Sequence, residues 1–302
     1  MSSVNVCFAS DNNYAKYAGV VIASILYNAK EETDLTFYIL DGGISEEHKS
    51  EIFSLKSIKD CEINFVPINE EDFEDYKKVK THKYITLATY YRLKLPTLLP
   101  NVNRVVYLDC DIVVNDDLTE LFNTTLTTEA FAGVHDINKK MVEKNPTYVN
   151  AGVLVIDLAN MRQQQLEQKF LEWTIEHQKT IQCGDQEIIN VLCIGNIKVV
   201  DDTWNVQTSD FMNRSAYIKE PKIIHYVAKN KPWNWASLCY YKNYYLKYLQ
   251  MTPWKKNKWE EFKYKYIEQF LSIIKFIIHR PTFIFLFKFY ESIFNTYIKR
   301  VL

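Results

Sequence analysis

Several features that mark particular classes of protein are missing from this sequence. Its 6 cysteines form no CxxC pair and have no zinc-ligand spacing, which predicts reduced thiols in a cytoplasmic protein. No basic, apolar leader precedes the first predicted strand, so a secretory signal peptide is not expected. The sequence also has no uncharged apolar run of the roughly 18–20 residues that a membrane-spanning helix needs.

Charge is divided unevenly along the chain. Residues 254–302 contain 10 Lys and Arg against 4 Glu, with 14 of the 44 aromatic residues, whereas the remainder has 26 Lys and Arg against 33 acidic residues. An acidic body is therefore joined to a basic, aromatic tail. Such a tail is typical of docking on an anionic membrane surface, and the alternative is a helical cap on the body. The body has no basic stripe, so nucleic acid is not expected as a partner.

Strands and helices alternate through the first hundred residues, which is typical of a doubly wound parallel sheet. The charged, glycine-free segment 69–83 indicates a mobile surface region. Apolar periodicity and capping residues predict strands at 4–9, 35–40, 62–66 and 104–108 and helices at 14–28, from 45 onwards and at 86–95.

The second half predicts a mixed arrangement of strands and helices. A long amphipathic helix is expected over 158–179, and a composition shift near 235–254 indicates a boundary. The sequence therefore predicts an α/β domain over 1–235, with a Rossmann-like, doubly wound mixed sheet, and a helical appendage over 236–302. The other predicted elements are strands at 131–136, 152–157, 198–200 and 222–226 and a helix at 184–193.

Asp109 and Asp111 lie at the end of a buried apolar strand. An unpaired buried carboxylate is unfavourable, and residues two apart on an extended chain point to one face, so both can reach one cation. Carboxylate oxygens suit Mg²⁺ or Mn²⁺. The stretch Asp109 to Val113 also fits the motif of haloacid-dehalogenase phosphatases, in which Asp109 would be the nucleophile. That motif normally lies close to the start of its domain, which favours the cation site.

Six short motifs together resemble glycosyltransferase family 8, the retaining enzymes that include bacterial lipopolysaccharide glucosyl- and galactosyltransferases. The resemblance covers about residues 4–235 and implies a GT-A fold. In chain order the motifs are FASDNNY at 8–14, ATYYRL at 88–93, YLDCD at 107–111, NAGV at 150–153, GDQE at 184–187, and HY at 225–226 with KPW at 231–233.

The resemblance implies a metal site made of Asp109, Asp111 and His225. Imidazole is a good ligand for Mn²⁺ and a poor one for Mg²⁺, so Mn²⁺ is the expected ion and Mg²⁺ the alternative. Lys231 is implied to contact the diphosphate of the donor. Relatives often have a glycine between this histidine and this lysine, which is missing here, so Lys229 is an alternative for that role.

The resemblance also implies the donor site. The catalytic residues that it implies are Lys231, Asp185 and Gln186. The first strand-to-helix turn is where nucleotides bind in such sheets, although Asp11 and Asn13 are equally typical of helix capping. The implied donor-binding residues are Ala9, Asp11, Asn13, Arg92, Asp109, Cys110, Asp136, Asn150 and Gly152.

These residues predict a retaining hexosyltransferase that moves glucose or galactose from a UDP-sugar to a lipid-linked or lipopolysaccharide glycan. It is expected at the inner face of the cell membrane, held there by the tail. Gln186 carries an amide, which is a poor nucleophile, so same-face attack is favoured over double displacement. The alternatives are the phosphatase above and a non-catalytic UDP-sugar-binding protein.

Overall fold

The structure is a computed structural model that describes residues 2–79, 86–208, 218–227, 231–234, 237, 239 and 241–257. Most of the basic, aromatic tail lies outside the described residues, as do Lys229 and residues 80–83 of the segment predicted to be mobile. No helix in the described part is long and apolar enough to cross a membrane.

Within the described residues, ten strands form two sheets, and the larger one confirms the predicted α/β fold. Its order is β3-β2-β1-β4-β7-β6-β8, with β1 to β4 parallel and β7 antiparallel to both neighbours. The strands are β1 (Ser2–Ser10), β2 (Thr33–Asp41), β3 (Glu62–Pro67), β4 (Arg104–Leu108), β5 (Ile112–Val114), β6 (Phe131–His135), β7 (Val149–Asp157), β8 (Ile197–Val199), β9 (Val206–Gln207) and β10 (Ile223–His225).

The apolar strands β1 and β4 lie side by side in the centre of the large sheet. Successive side chains of a strand point to opposite faces, so Val6 and Val106 join the apolar cluster on one face while Cys7 and Tyr107 join the cluster on the other. Burial on both faces explains why these strands are continuous apolar runs. Their carboxyl ends are adjacent, which brings the first turn close to the paired aspartates.

The small sheet, which consists of β5, β10 and β9, was not predicted as a unit. In it, His225 pairs with Ile112 of β5 on one side and with Gln207 of β9 on the other. Strands of two or three residues give little periodic signal. The pairing of β10 with β5 places His225 beside Ile112, the residue that immediately follows Asp111.

The helices pack around the large sheet. The prediction of a single helix over 158–179 is wrong, because two helices form there, over Leu158–Gln163 and Leu166–His177. Asp157 caps α7 through the Asn160 N–H, and Gln165 then adopts a left-handed conformation with φ 53°, which ends one helix and reorients the next. The helices are α1 (Ala15–Asn28), α2 (Glu46–Ser54), α3 (Glu74–Lys77), α4 (Leu95–Leu98), α5 (Thr119–Phe122), α6 (Lys139–Lys144), α7 (Leu158–Gln163), α8 (Leu166–His177), α9 (Asp185–Leu192) and α10 (Lys242–Leu249).

The described part of segment 69–83 is folded, which contradicts the prediction of a mobile region. A 3-10 turn over Glu70–Phe73 leads into α3, and both Phe73 and Tyr76 are buried. These residues and Val79 recur at a spacing of three, so one face of the segment packs inward despite its high charge. The region predicted as helical at 86–95 forms a 3-10 helix over Leu87–Lys94, which is followed directly by α4.

The last described residues pack on the body of the protein. Helix α10 contacts α1 and β5. Trp254 fills a notch at Gly19, where an added Cβ would lie 2.1 Å from the indole ring. The domain boundary between 235 and 236 stays a prediction.

Candidate active site

The structure brings the three predicted metal ligands together. Asp109 follows β4, Asp111 precedes β5, and His225 ends β10. His225 Nε2 is 3.2 Å from Asp111 Oδ1 and 3.9 Å from Asp109 Oδ2. One ligand atom from each residue lies within 4.8 Å of the other two. The ends of three strands, one in the large sheet and two in the small sheet, therefore supply a compact set of oxygen and nitrogen donors.

Gly152 leaves room for this set and fastens it to the large sheet. Its carbonyl oxygen accepts a hydrogen bond of 2.8 Å from the Asp109 N–H. A Cβ at this position would lie 2.2 Å from His225 Cε1 and 2.8 Å from Asp109 Oδ2. The backbone thus approaches the donor atoms as closely as only glycine permits. Two carboxylates and an imidazole around a cleared space fit a Mn²⁺ ion.

Lys231 contacts one of the three metal ligands, Asp111. Its Nζ donates to Asp111 Oδ2 and, at 2.6 Å, to the Tyr226 carbonyl oxygen. Burial favours the protonated form of Asp111, but the charges of His225 and Lys231 outweigh it and hold the pKa of Asp111 well below its usual range. Asp111 is therefore an anion at neutral pH, as a metal ligand must be.

Arg92 joins the metal ligands to Asp185. Its buried guanidinium donates to Asp109 Oδ1 at 2.7 Å and lies 2.9 Å from Asp185 Oδ2. It also stacks on the ring of Tyr107, with 4.1 Å between the guanidinium carbon and the ring centroid. Burial raises the pKa of Asp185 to about 6, although the Arg92 charge opposes the shift. An arginine between two acids satisfies buried charges that would be costly alone.

Gln186, Asp136 and Asn150 form a hydrogen-bonded group next to the metal ligands. Gln186 Oε1 accepts from the Ala151 N–H at 3.1 Å and from Asn150 Nδ2 at 3.2 Å. Gln186 Nε2 donates to Asp136 Oδ2 at 3.0 Å, and Asn150 Nδ2 lies 3.2 Å from the same oxygen. The amide of Gln186 is thus held at both ends by fixed partners.

The predicted residues of the first turn have mainly structural contacts. Asp11 Oδ1 accepts from the Tyr14 N–H at 2.9 Å, within the turn that leads into α1. The Ala9 carbonyl accepts from the Cys110 thiol at 3.2 Å, so the ends of β1 and β4 are tied together. Burial raises the pKa of Cys110 well above its usual value, and this thiol stays neutral. Asn13 is exposed.

Residues that the sequence did not single out complete the site. Tyr17 stacks on Trp233, with ring centroids 3.7 Å apart, and Tyr14 meets the same indole edge-on. This aromatic group holds the loop that carries Lys231 against α1. Asn205, in a 3-10 turn, faces His225 Nδ1 at 3.2 Å. Spacing alone gave no signal for Asn205, whereas Tyr14 lay inside a quoted motif without an assigned role.

Comparisons of the sequence and of the structure with known proteins give consistent matches. Residues 5–236 match the family described as Glycosyl transferase family 8. A Haemophilus influenzae protein named as a glycosyltransferase is 32% identical over 246 residues, 77% of this chain and 73% of its own length. The lipopolysaccharide 1,2-glucosyltransferase of Escherichia coli is 29% identical over 276 residues, 83% and 79% of the two chains. The crystal structure of galactosyltransferase LgtC in complex with donor and acceptor sugar analogues is similar at a TM-score of 0.73 and 26% identity, covering 85% of this chain and 99% of that one.

Proposed function

Because this chain belongs to glycosyltransferase family 8, we propose that it transfers glucose or galactose from a UDP-sugar to a glycan, with retention of anomeric configuration. The observation that carries the proposal is the convergence of Asp109, Asp111 and His225 beside Lys231. Relatives named as lipopolysaccharide glucosyl- and galactosyltransferases support a hexose donor and a lipid-borne acceptor.

Asp109, Asp111 and His225 would hold a Mn²⁺ ion. When bound, the ion supplies positive charge to the diphosphate of the donor. Lys231 adds an ammonium group, whose compact charge suits phosphate oxygens that become more negative as the glycosidic bond breaks. Its present contact with Asp111 keeps that ammonium at the edge of the metal site.

Arg92, Asp136, Asn150 and Asp185 are proposed to orient the donor sugar. Asp136 and Asn150 are hydrogen-bonded to Gln186, and Arg92 forms an ion pair with Asp185, so these side chains are already fixed. Such preorganisation holds the reacting atoms in place at little entropic cost during the reaction. The same network leaves the Gln186 amide as a positioned polar group, which is a poor nucleophile.

We therefore propose same-face attack. The acceptor hydroxyl forms its bond to the anomeric carbon on the side from which UDP departs, and the bond between that carbon and the phosphate oxygen breaks. The departing phosphate oxygen takes the acceptor proton. Lys231 lies on the side where this negative charge develops, which is where a cation lowers the barrier most.

Replacement of Gln186 tests this mechanism. Gln186→Ala is expected to lower kcat by about 10- to 100-fold through lost positioning, while the product keeps the same anomeric configuration by NMR. Gln168→Ala, on the exposed face of α8, is the matched control and should transfer at the wild-type rate. A sugar trapped covalently on Asp185, detected by mass spectrometry, would contradict same-face attack.

A screen of UDP-sugars for Mn²⁺-dependent release of UDP tests the proposed function itself. The phosphatase alternative predicts phosphate release from a phosphomonoester and insensitivity to UDP. The non-catalytic alternative predicts UDP binding with Mn²⁺ and no turnover. The approach of His225 Nε2 to both Asp109 and Asp111 favours a shared set of metal ligands over a nucleophilic Asp109.

We propose that residues 258–302 dock the enzyme on the inner face of the membrane, beside its lipid-linked acceptor. Support comes from their basic and aromatic composition, because such segments bind anionic lipid surfaces. A deletion that tests this proposal should begin after Asn257, because Trp254 packs against Gly19 and belongs to the body.

Deletion of 258–302 is expected to move the protein from the membrane fraction to the soluble fraction. Hydrolysis of the UDP-sugar should continue at the wild-type rate, since the metal site is intact. A full-length Lys263→Gln, Lys265→Gln variant is the matched control for charge, and it should bind anionic vesicles more weakly while keeping its length. Retention of the deleted protein on membranes would contradict docking by the tail.

A further inference from the structure

Asn205 lies between the metal ligands and the polar group around Gln186. Its Oδ1 is 3.2 Å from His225 Nδ1, and its Nδ2 is 3.0 Å from Asn150 Oδ1. Only 2% of its surface is exposed, so both contacts are made away from water. We propose that Asn205 is a positioning residue that selects the metal-binding tautomer of His225 and links it to the donor-sugar site. This inference rests on the metal site of the proposed function.

The direction of each hydrogen bond follows from one backbone group. The Gly152 N–H can only donate, so the Asn150 atom 3.1 Å from it must be the carbonyl oxygen. That same oxygen is 3.0 Å from Asn205, whose facing atom must therefore be the amide nitrogen. The remaining polar atom of Asn205, which faces His225, is then its oxygen.

An oxygen at this position requires His225 Nδ1 to carry the ring hydrogen. His225 Nε2, the atom that faces Asp109 and Asp111, would then offer its lone pair to a bound metal ion, whereas without the ion it can donate a hydrogen to Asp111. The opposite tautomer would direct an N–H towards the metal position and set a lone pair against the Asn205 oxygen. A partner on the far nitrogen of a ligating histidine commonly fixes its tautomer and ring orientation.

The hydrogen bonds of Gln186, at the other end of this series of side-chain amides, give the same assignment independently. The Ala151 N–H identifies the atom of Gln186 that it meets as oxygen. Asn150 Nδ2 donates to that oxygen at 3.2 Å, which again leaves Asn150 Oδ1 to accept from Asn205. The side-chain amides of Gln186, Asn150 and Asn205 thus connect the donor-sugar site to His225. A change in hydrogen bonding at Gln186 therefore affects the hydrogen bonding of His225.

The tautomer can be read directly from the metal-free, full-length protein labelled with ¹⁵N-histidine. Long-range ¹H–¹⁵N correlation spectra distinguish the two protonated nitrogens, and the His225 signals are those missing from His225→Ala. Without a metal ion, Asp111 also attracts a hydrogen to Nε2, which lies 3.2 Å from its Oδ1, so the wild type is compared with Asn205→Ala. We expect the fraction of His225 with its hydrogen on Nδ1 to fall in the variant, and an unchanged fraction in the folded variant overturns the proposal.

Two substitutions of Asn205 separate positioning from general stability. Asn205→Ala removes the acceptor and should weaken Mn²⁺ binding about 10- to 100-fold, as loss of a partner to a ligating histidine does. Asn205→Asp keeps an acceptor oxygen for Nδ1 and should bind Mn²⁺ more tightly than Asn205→Ala, although its second oxygen cannot donate to Asn150 Oδ1. Binding is measured by the electron paramagnetic resonance signal of free Mn²⁺, with thermal unfolding of each variant as the check on folding.

The outcomes distinguish this proposal from the proposed function. If His225→Ala weakens Mn²⁺ binding and a folded Asn205→Ala does not, the role of Asn205 is overturned while the metal site stands. If His225→Ala leaves Mn²⁺ binding unchanged, the metal site itself is wrong and the proposal for Asn205 falls with it. Rescue of binding in Asn205→Asp supports the positioning role.

Discussion

Gly152→Ala is expected to abolish Mn²⁺ binding and to reduce glycosyl transfer by about 100-fold or more. The methyl group would lie 2.2 Å from His225 Cε1 and 2.8 Å from Asp109 Oδ2, well inside contact distance. Gly152 lies in β7, and its carbonyl oxygen accepts from the Asp109 N–H at 2.8 Å, which limits how far the backbone can withdraw. His225 and Asp109 must therefore move apart, and the donor atoms no longer converge. Titration of Mn²⁺ and a UDP-release assay measure the two effects.

Gly133→Ala is the matched control for this substitution. Gly133 lies on the neighbouring strand β6, and its added methyl would meet only side-chain atoms, with Leu154 Cδ2 at 3.0 Å and Val149 Cβ at 3.2 Å. We expect overpacking that lowers the free energy of unfolding by about 1–3 kcal/mol, with Mn²⁺ affinity unchanged. Equal losses of Mn²⁺ affinity in both variants would show that Gly152 contributes stability alone.

Asp111→Asn is expected to lower kcat/KM by about 10³-fold, because it removes a ligand charge and the partner of Lys231 together. The change keeps the size of the side chain, so the packing around it is preserved. His225 Nε2, now 3.2 Å from a neutral group, and the Lys231 ammonium both lose their anion. Mn²⁺ affinity should fall with activity, and raised Mn²⁺ concentration should restore part of the rate.

Asp116→Asn provides the control for loss of one negative charge in the same segment. Asp116 lies five residues downstream, half-exposed, and its carboxylate is 3.8 Å from Lys222 Nζ. A pair of this kind contributes about 0–1 kcal/mol to stability, so activity and Mn²⁺ affinity should match the wild type. Wild-type activity of Asp111→Asn at low Mn²⁺ concentration would show that Asp111 is not a metal ligand.

The sequence predicted the parts of the molecule in which one physical signal dominates. β1 and β4 are buried on both faces, and continuous apolar runs reveal such strands. Asp109 and Asp111 stood out because charge is unfavourable at the end of a buried strand. His225 was found through the resemblance, since a lone histidine in a three-residue strand has no distinctive pattern.

Other parts depend on contacts that linear spacing does not encode. No glycine or proline marks the break between α7 and α8, which arises at Gln165 from its left-handed backbone. In segment 69–83, the high charge concealed Phe73 and Tyr76, whose burial depends on aromatic partners such as Tyr91 and Tyr90. The proposed role of Asn205 depends on a residue 20 positions away, which only the folded chain brings near.

The packing of Trp254 determines where the tail leaves the body. Its indole lies 6.1 Å from the ring of His48, and His48 Nδ1 is 2.9 Å from Asn12 Oδ1 in the first turn. The point of departure is therefore coupled, through two side chains, to the loop proposed to receive the nucleotide. Residues 258–302 follow in the sequence from a point beside that loop, so we expect a membrane bound by them to lie on that side of the enzyme.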